Sequence, residues 1–133
     1  MLKKNSIIKI GLLLLVIIVL IVSAITGCSG AGSGVKLYGE DFDINDYENV
    51  TIDRIINNHG EFTDGGSIIV TGEIIQVCPT AGCWLMMSDG TNSLYVDLFD
   101  FTVDIPSRTE ITVKGDVRLR DGQPYLIGRA VKR

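Results

Sequence analysis

The chemistry-bearing stretch of this chain is Cys78-Pro79-Thr80-Ala81-Gly82-Cys83-Trp84. Four residues separate the two cysteines, and Pro79 and Gly82 favour a loop between them. The pattern predicts a hairpin whose tip brings two thiols face to face. Residues opposed across antiparallel strands have Cα atoms roughly 4.5–5.5 Å apart. A disulfide needs roughly 4.4–6.8 Å, and a ring this small would stabilise the fold by about 2 kcal/mol. The same closeness suits a soft cation: two thiolates and a thioether make a Cu(I) site. Met87 lies four residues after Cys83 and shares its face of the strand. Trp84 and Met86 share the other face, where an indole beside a thioether covers a cation. His59, the single histidine of the chain, joins such a site if its element packs nearby.

Plainer readings of the same residues stand beside these. Two adjacent methionines in a strand fill core space. Trp84 serves as a plug with its N–H bonded to backbone, His59 as a helix-end residue, and the cysteines as unpaired packing groups. The spacing matches no zinc pattern and is not CxxC. Thiol-redox catalysis requires a thiolate of low pKa. The sequence puts no cation beside Cys78 or Cys83 to supply one, which argues against an enzyme.

The elements that must position these residues are mostly strands. Residues 67–78 read as the first, with Gly72 as its bulge. The second covers 83–88 and ends at Asp89-Gly90, and the third covers 93–99. In the fourth, 109–120, Ile111, Val113, Val117 and Leu119 alternate with Thr112, Lys114, Asp116, Arg118 and Arg120, one face buried and one wet. Asp121-Gly122 turns the chain into the fifth, 124–131. Before them, Ile52, Ile55, Ile56 and His59 recur at helical spacing, with Thr51 as N-cap and Gly60 at C′. Residues 35–50 read as irregular, anchored by Tyr38, Phe42 and Tyr47. The expected fold is mainly β: a five-stranded OB-like Greek-key barrel with one short N-terminal helix.

The first 27 residues stand apart. Lys3, Lys4 and Lys9 precede an apolar run from Ile10 to Val22, and small residues follow, the order of a secretory signal. Ile25-Thr26-Gly27-Cys28 resembles a bacterial lipobox, which implies diacylglyceryl transfer to Cys28 and cleavage before it. The alternative is a retained membrane helix, although the run is short of the roughly 20 residues of a full span. The organisation expected is therefore 1–27 signal peptide, 28–36 flexible linker with lipidated Cys28, and 37–133 the folded domain. Removing 1–27 takes three of the 12 Lys and Arg and none of the 16 Asp and Glu, leaving a net charge of −7. That charge opposes nucleic-acid binding, despite a basic edge of Arg118, Arg120, Arg129, Lys132 and Arg133. Asp97, Asp100 and Asp104 offer calcium ligands, but they read more simply as a solvated edge.

Val77 to Met86 resembles the Cys-x4-Cys-Trp-Met signature of a family of small exported domains of unknown function. The resemblance extends to Tyr38-Gly39, Val70-Thr71-Gly72-Glu73, Leu98-Phe99-Asp100-Phe101, Ile105-Pro106 and Val113-Lys114-Gly115. Asp100-Phe101-Thr102-Val103 departs from that family's more aromatic stretch. The resemblance implies an OB-like barrel in an exported or lipid-anchored protein, and no established activity. The expected role is a membrane-tethered, extracytoplasmic binding lipoprotein that takes Cu(I) or a small ligand at the Cys78/Cys83 hairpin. The alternative is a structural or interaction module of the cell envelope, stapled by a Cys78–Cys83 disulfide and meeting an envelope protein partner.

Overall fold

The computed structural model describes residues 8–16 and 34–133. Cys28, with the cleavage and linker residues around it, lies outside the described residues. Residues 8–16 are helical and exposed, and among the described residues no helix is long and apolar enough to cross a membrane. Val35 to Arg133 form a separate compact unit.

That unit is mainly β. Its strands are β1 (Leu37–Gly39), β2 (Ile68–Val77), β3 (Trp84–Ser88), β4 (Ser93–Asp97), β5 (Glu110–Arg120) and β6 (Gln123–Lys132), with helix α1 (Ile52–Asn58) between β1 and β2. The sheet order is β1-β6-β4-β3-β2-β5, and β5 also pairs with β6. All pairings are antiparallel except β4 with β6. The interior is apolar, with Ile74, Leu85, Met87, Leu94, Val96, Val113 and Leu126 wholly out of solvent.

The period-two pattern of 109–120 becomes β5, and Asp121 and Gly122 both take positive φ in the turn to β6. Thr51 caps α1, its Oγ1 accepting from the Arg54 N–H at 3.2 Å. Ile52 and Ile55 are buried beneath the helix.

Several expectations are corrected. Leu37–Gly39 is a strand, held by Ala130–Lys132 of β6; three residues are too few to show a period. The bulge of β2 falls between Ile74 and Gln76, not at Gly72. Gly72 is there for closeness: a β-carbon would lie 2.9 Å from the Ser88 carbonyl oxygen and 3.1 Å from Ile52 Cδ1. Gly60 sits in a 3-10 turn, His59–Glu61, which extends α1, and it lacks the positive φ of a C′ glycine. Lys114 is buried, not wet, because the chain after β1 covers it: its Nζ donates to Glu40 at 3.0 Å and lies over the Tyr47 ring. Leu119 is exposed: it lies past the end of the β2 pairing at Gly115, near the tip of β5, opposite Pro124 of β6.

Candidate functional site

The site is the loop between β2 and β3. Strand pairing ends at Val77 and Leu85. The Cys78 N–H then donates to the Trp84 carbonyl at 2.9 Å, and the Gly82 N–H donates back to the Cys78 carbonyl at 3.2 Å. The loop is also tied to the chain beyond β4. The Leu98 N–H donates to the Cys83 carbonyl, and the Val103 N–H to the Gly82 carbonyl, each at 3.0 Å. Gly82 is buried with φ +60, and a β-carbon there would overlap the Val103 carbonyl oxygen. Only glycine meets both conditions.

This scaffold aims both thiols at one point. The Sγ of Cys83 lies 3.5 Å from the Sγ of Cys78 and donates to it. A disulfide is roughly 2.05 Å long, so the two are free thiols rather than the expected bridge. They meet in the loop itself, past the last paired residues. Cys83 is exposed and Cys78 partly so.

The two thiols are electrostatically unlike. The Thr80 hydroxyl, 3.4 Å from Cys78 Sγ, and the N–H groups of Ala81, Thr80 and Cys83 bring the Cys78 thiol down to about 6. The Cys83 thiol is pushed up, because it serves as hydrogen-bond donor to Cys78, with burial and the negative charge of Cys78 adding to the effect. No lysine or arginine is involved. Oriented dipoles of a tight turn do what a cation does elsewhere, and sequence inspection for nearby cations misses them. The signal available was Thr80 itself, a hydroxyl two residues after a cysteine in a Pro-initiated loop.

No family model matches the chain, and no curated protein matches it.

The remaining sequence candidates do not converge on the sulfurs. Met87 is completely buried and belongs to the core. His59 joins no metal-ligand group with the two cysteines; it follows α1, whose first turn packs Ile52 against Gly72 while Asp53 accepts from Asn92 at 3.2 Å. The Nδ1 of His59 is buried without a hydrogen-bond partner. Trp84 stacks on Tyr95 at 5.7 Å with a 28° interplanar angle, and Tyr95 leans on Tyr125 at 6.5 Å. The Arg120 guanidinium caps this row, 4.7 Å from the Tyr125 ring centre. Trp84 and Tyr95 turn their ring faces to each other, so the row braces the base of the thiol loop. Met86 sits beside it, paired with Tyr95 across the strands. Among the described residues no group of three or more His, Cys, Asp or Glu side chains could hold a metal ion. That includes Asp97, Asp100 and Asp104. The basic edge is engaged internally too: Arg129 pairs with Asp116 at 3.0 Å, and Lys132 donates to the Phe42 carbonyl.

A groove opens beside the thiols. It has a volume of about 460 Å³ and is walled by Tyr38, Val77, the loop from Cys78 to Gly82, and the extended segment Thr102 to Ile105. Cys78 lines it; Cys83 does not. Phe99, which follows the Leu98 anchor of Cys83, is 79% exposed.

Proposed function

We propose that this chain is an exported domain, tethered to the membrane through its N-terminal segment and Cys28, that works as a reversible dithiol–disulfide centre at Cys78 and Cys83. The observation that carries the reading is the meeting of two accessible thiols 3.5 Å apart, one stabilised as thiolate by its turn and the other donating to it. A thiolate is the attacking species in disulfide exchange, and a neighbouring thiol resolves the product. This revises the expectation from sequence, where the lack of a cation argued against redox chemistry.

The scaffold reading is an OB-like Greek-key barrel. The pairings run β2–β3–β4–β6–β5 and back to β2, with β4 and β6 parallel, which supports a closed five-stranded ring with β1 added at its edge. In barrels of this type the loop between the first two strands of the ring belongs to the usual binding side, and here that loop is Cys78 to Cys83. Fold alone does not assign an activity; the thiols do.

A second reading keeps the soft cation. Two sulfurs 3.5 Å apart are spaced to share one ion at metal–sulfur distances of roughly 2.3 Å. With Met87 in the core and no third His, Cys, Asp or Glu grouped with the two cysteines among the described residues, such a site would hold Cu(I) by sulfur from this loop alone.

The two readings separate in one experiment. The reduced protein is mixed with a disulfide reagent, or with Cu(I) in the presence of a chromogenic chelator, and free thiols are counted by alkylation and intact mass. The redox reading expects both thiols to vanish with a loss of two hydrogens and no adduct. A protein that keeps both thiols alkylatable in the reagent, yet takes Cu(I) from the chelator, favours the second.

A further inference from the structure

Cys78 and Cys83 differ in what surrounds them, and the difference specifies the reaction partner. Cys78 forms part of the wall of the groove, opposite the Thr102–Ile105 segment. Cys83 lies outside the groove lining and is the more exposed of the two, its carbonyl bonded to Leu98 and its thiol aimed at Cys78. Apolar surface flanks the pair, with Phe99 exposed beyond Cys83 and Tyr38 and Val77 half-buried along the groove. Acidic groups border the same edge: Asp104 lines the groove, and Asp97 adds a small upward push to the Cys83 thiol by its charge. Lys36 lies over the Tyr38 ring at 4.9 Å, and Arg120 faces Asp97 at 3.9 Å. These cations offset the nearby acids in part, but the chain after residue 27 carries a net charge of −7, a field that favours neutral or cationic partners and repels small anionic disulfides.

Resting on the redox reading above, we propose that the substrate is a disulfide within an extended, neutral or basic polypeptide segment, laid in the Tyr38–Ile105 groove, with Cys78 as the attacking sulfur and Cys83 as the resolving one. The Cys78 thiolate attacks one sulfur of the substrate disulfide. That S–S bond breaks, and the other sulfur leaves as a thiolate and takes up a proton from water. Cys78 is then joined to the substrate. Cys83 loses its proton to solvent and attacks Cys78 Sγ, forming the Cys78–Cys83 bond and releasing the second substrate thiolate, which is protonated in turn. The polypeptide gains two electrons and two protons; the protein gives up two electrons and the Cys83 proton, the Cys78 proton having gone to solvent when its thiolate formed. The sequence runs in reverse from a dithiol polypeptide and the oxidised pair.

The test uses the full chain in detergent micelles and two probes: a disulfide-linked basic peptide with aromatic residues, and glutathione disulfide. Cys83→Ser is expected to trap the peptide on Cys78, located by fragment mass, about tenfold faster than it traps glutathione. Cys78→Ser is expected to trap neither at a comparable rate. Phe99→Ser, a change at an exposed position, is expected to shrink the preference for the peptide while leaving alkylation of Cys78 by iodoacetamide unchanged. Equal rates for peptide and glutathione would overturn the polypeptide assignment and leave the redox centre standing. Trapping on Cys83 in Cys78→Ser as fast as on Cys78 in Cys83→Ser would overturn the division of roles. A native chain that reacts with neither disulfide while both thiols alkylate would overturn the redox reading itself.

Discussion

The carbonyl of Gly82 accepts a hydrogen bond from the Val103 N–H at 3.0 Å, and the Val103 carbonyl oxygen occupies the space where a Gly82 side chain would begin. This backbone contact, with its companion between Cys83 and Leu98, holds the thiol loop against the chain that follows β4. Gly82→Ala puts an L side chain at φ +60 and into a backbone oxygen. It is expected to cost about 2 kcal/mol or more, read as a lower midpoint in urea. The same variant is expected to slow formation of the Cys78–Cys83 bond, because the loop must move to relieve the overlap.

Alkylation of Cys78 by iodoacetamide should rise with pH through about 6, well below an ordinary cysteine near 8.5. Thr80→Val removes the hydroxyl and is expected to move the profile to higher pH; Thr80→Ser is expected to keep it low. The folded-state value lies below the unfolded one, so the unfolded chain binds more protons between them. Stability therefore rises with pH across that window and is lost as pH falls toward about 6. Cys78→Ser is expected to remove this part of the pH dependence.

Met87 separates core from ligand. Met87→Ala is expected to lower stability by about 2–5 kcal/mol through the cavity it leaves, and Met87→Leu by less than about 1.5 kcal/mol. Chemical denaturation measures both. Neither change is expected to alter Cu(I) uptake by the reduced loop, whereas a thioether ligand would make Met87→Leu lower the affinity.

The buried Lys114 gives a further check. Its hydrogen bond to Glu40, 3.0 Å away, is the main cause of its raised pKa, opposed by burial. Glu40→Gln leaves a neutral acceptor. Lys114→Ala leaves Glu40 half-exposed, with water to take up its charge. Glu40→Ala, which strands the buried ammonium, is expected to be the most destabilising of the three in thermal unfolding.

Much of the β layout is visible in the residue pattern. Ile111, Val113 and Val117 alternate with polar neighbours, and Asp121-Gly122 supplies the turn. What the pattern hides is context. Lys114 looks solvent-facing until Glu40 and Tyr47 arrive from the segment before α1. Leu37–Gly39 is strand only because β6 lies beside it. Gly72 reads as a bulge, yet its role is to let Ile52 and Ser88 approach. At the site, the cysteine spacing foretells two neighbouring sulfurs. It does not foretell their inequality, which comes from where Thr80 and three backbone N–H groups point once the loop is folded. Met87 could be ligand or core by sequence, and the packing of β3 beneath α1 assigns it to the core.

The reduction potential of the Cys78–Cys83 pair tests the account at its centre. The full chain is equilibrated with dithiothreitol or glutathione buffers of known potential, quenched, alkylated and weighed. A reversible two-electron transition between about −120 and −270 mV, the range of working thiol–disulfide exchangers, is the predicted result. A pair that never closes in oxidising buffer, or a bond that stays shut to below about −300 mV as structural bridges do, would contradict it.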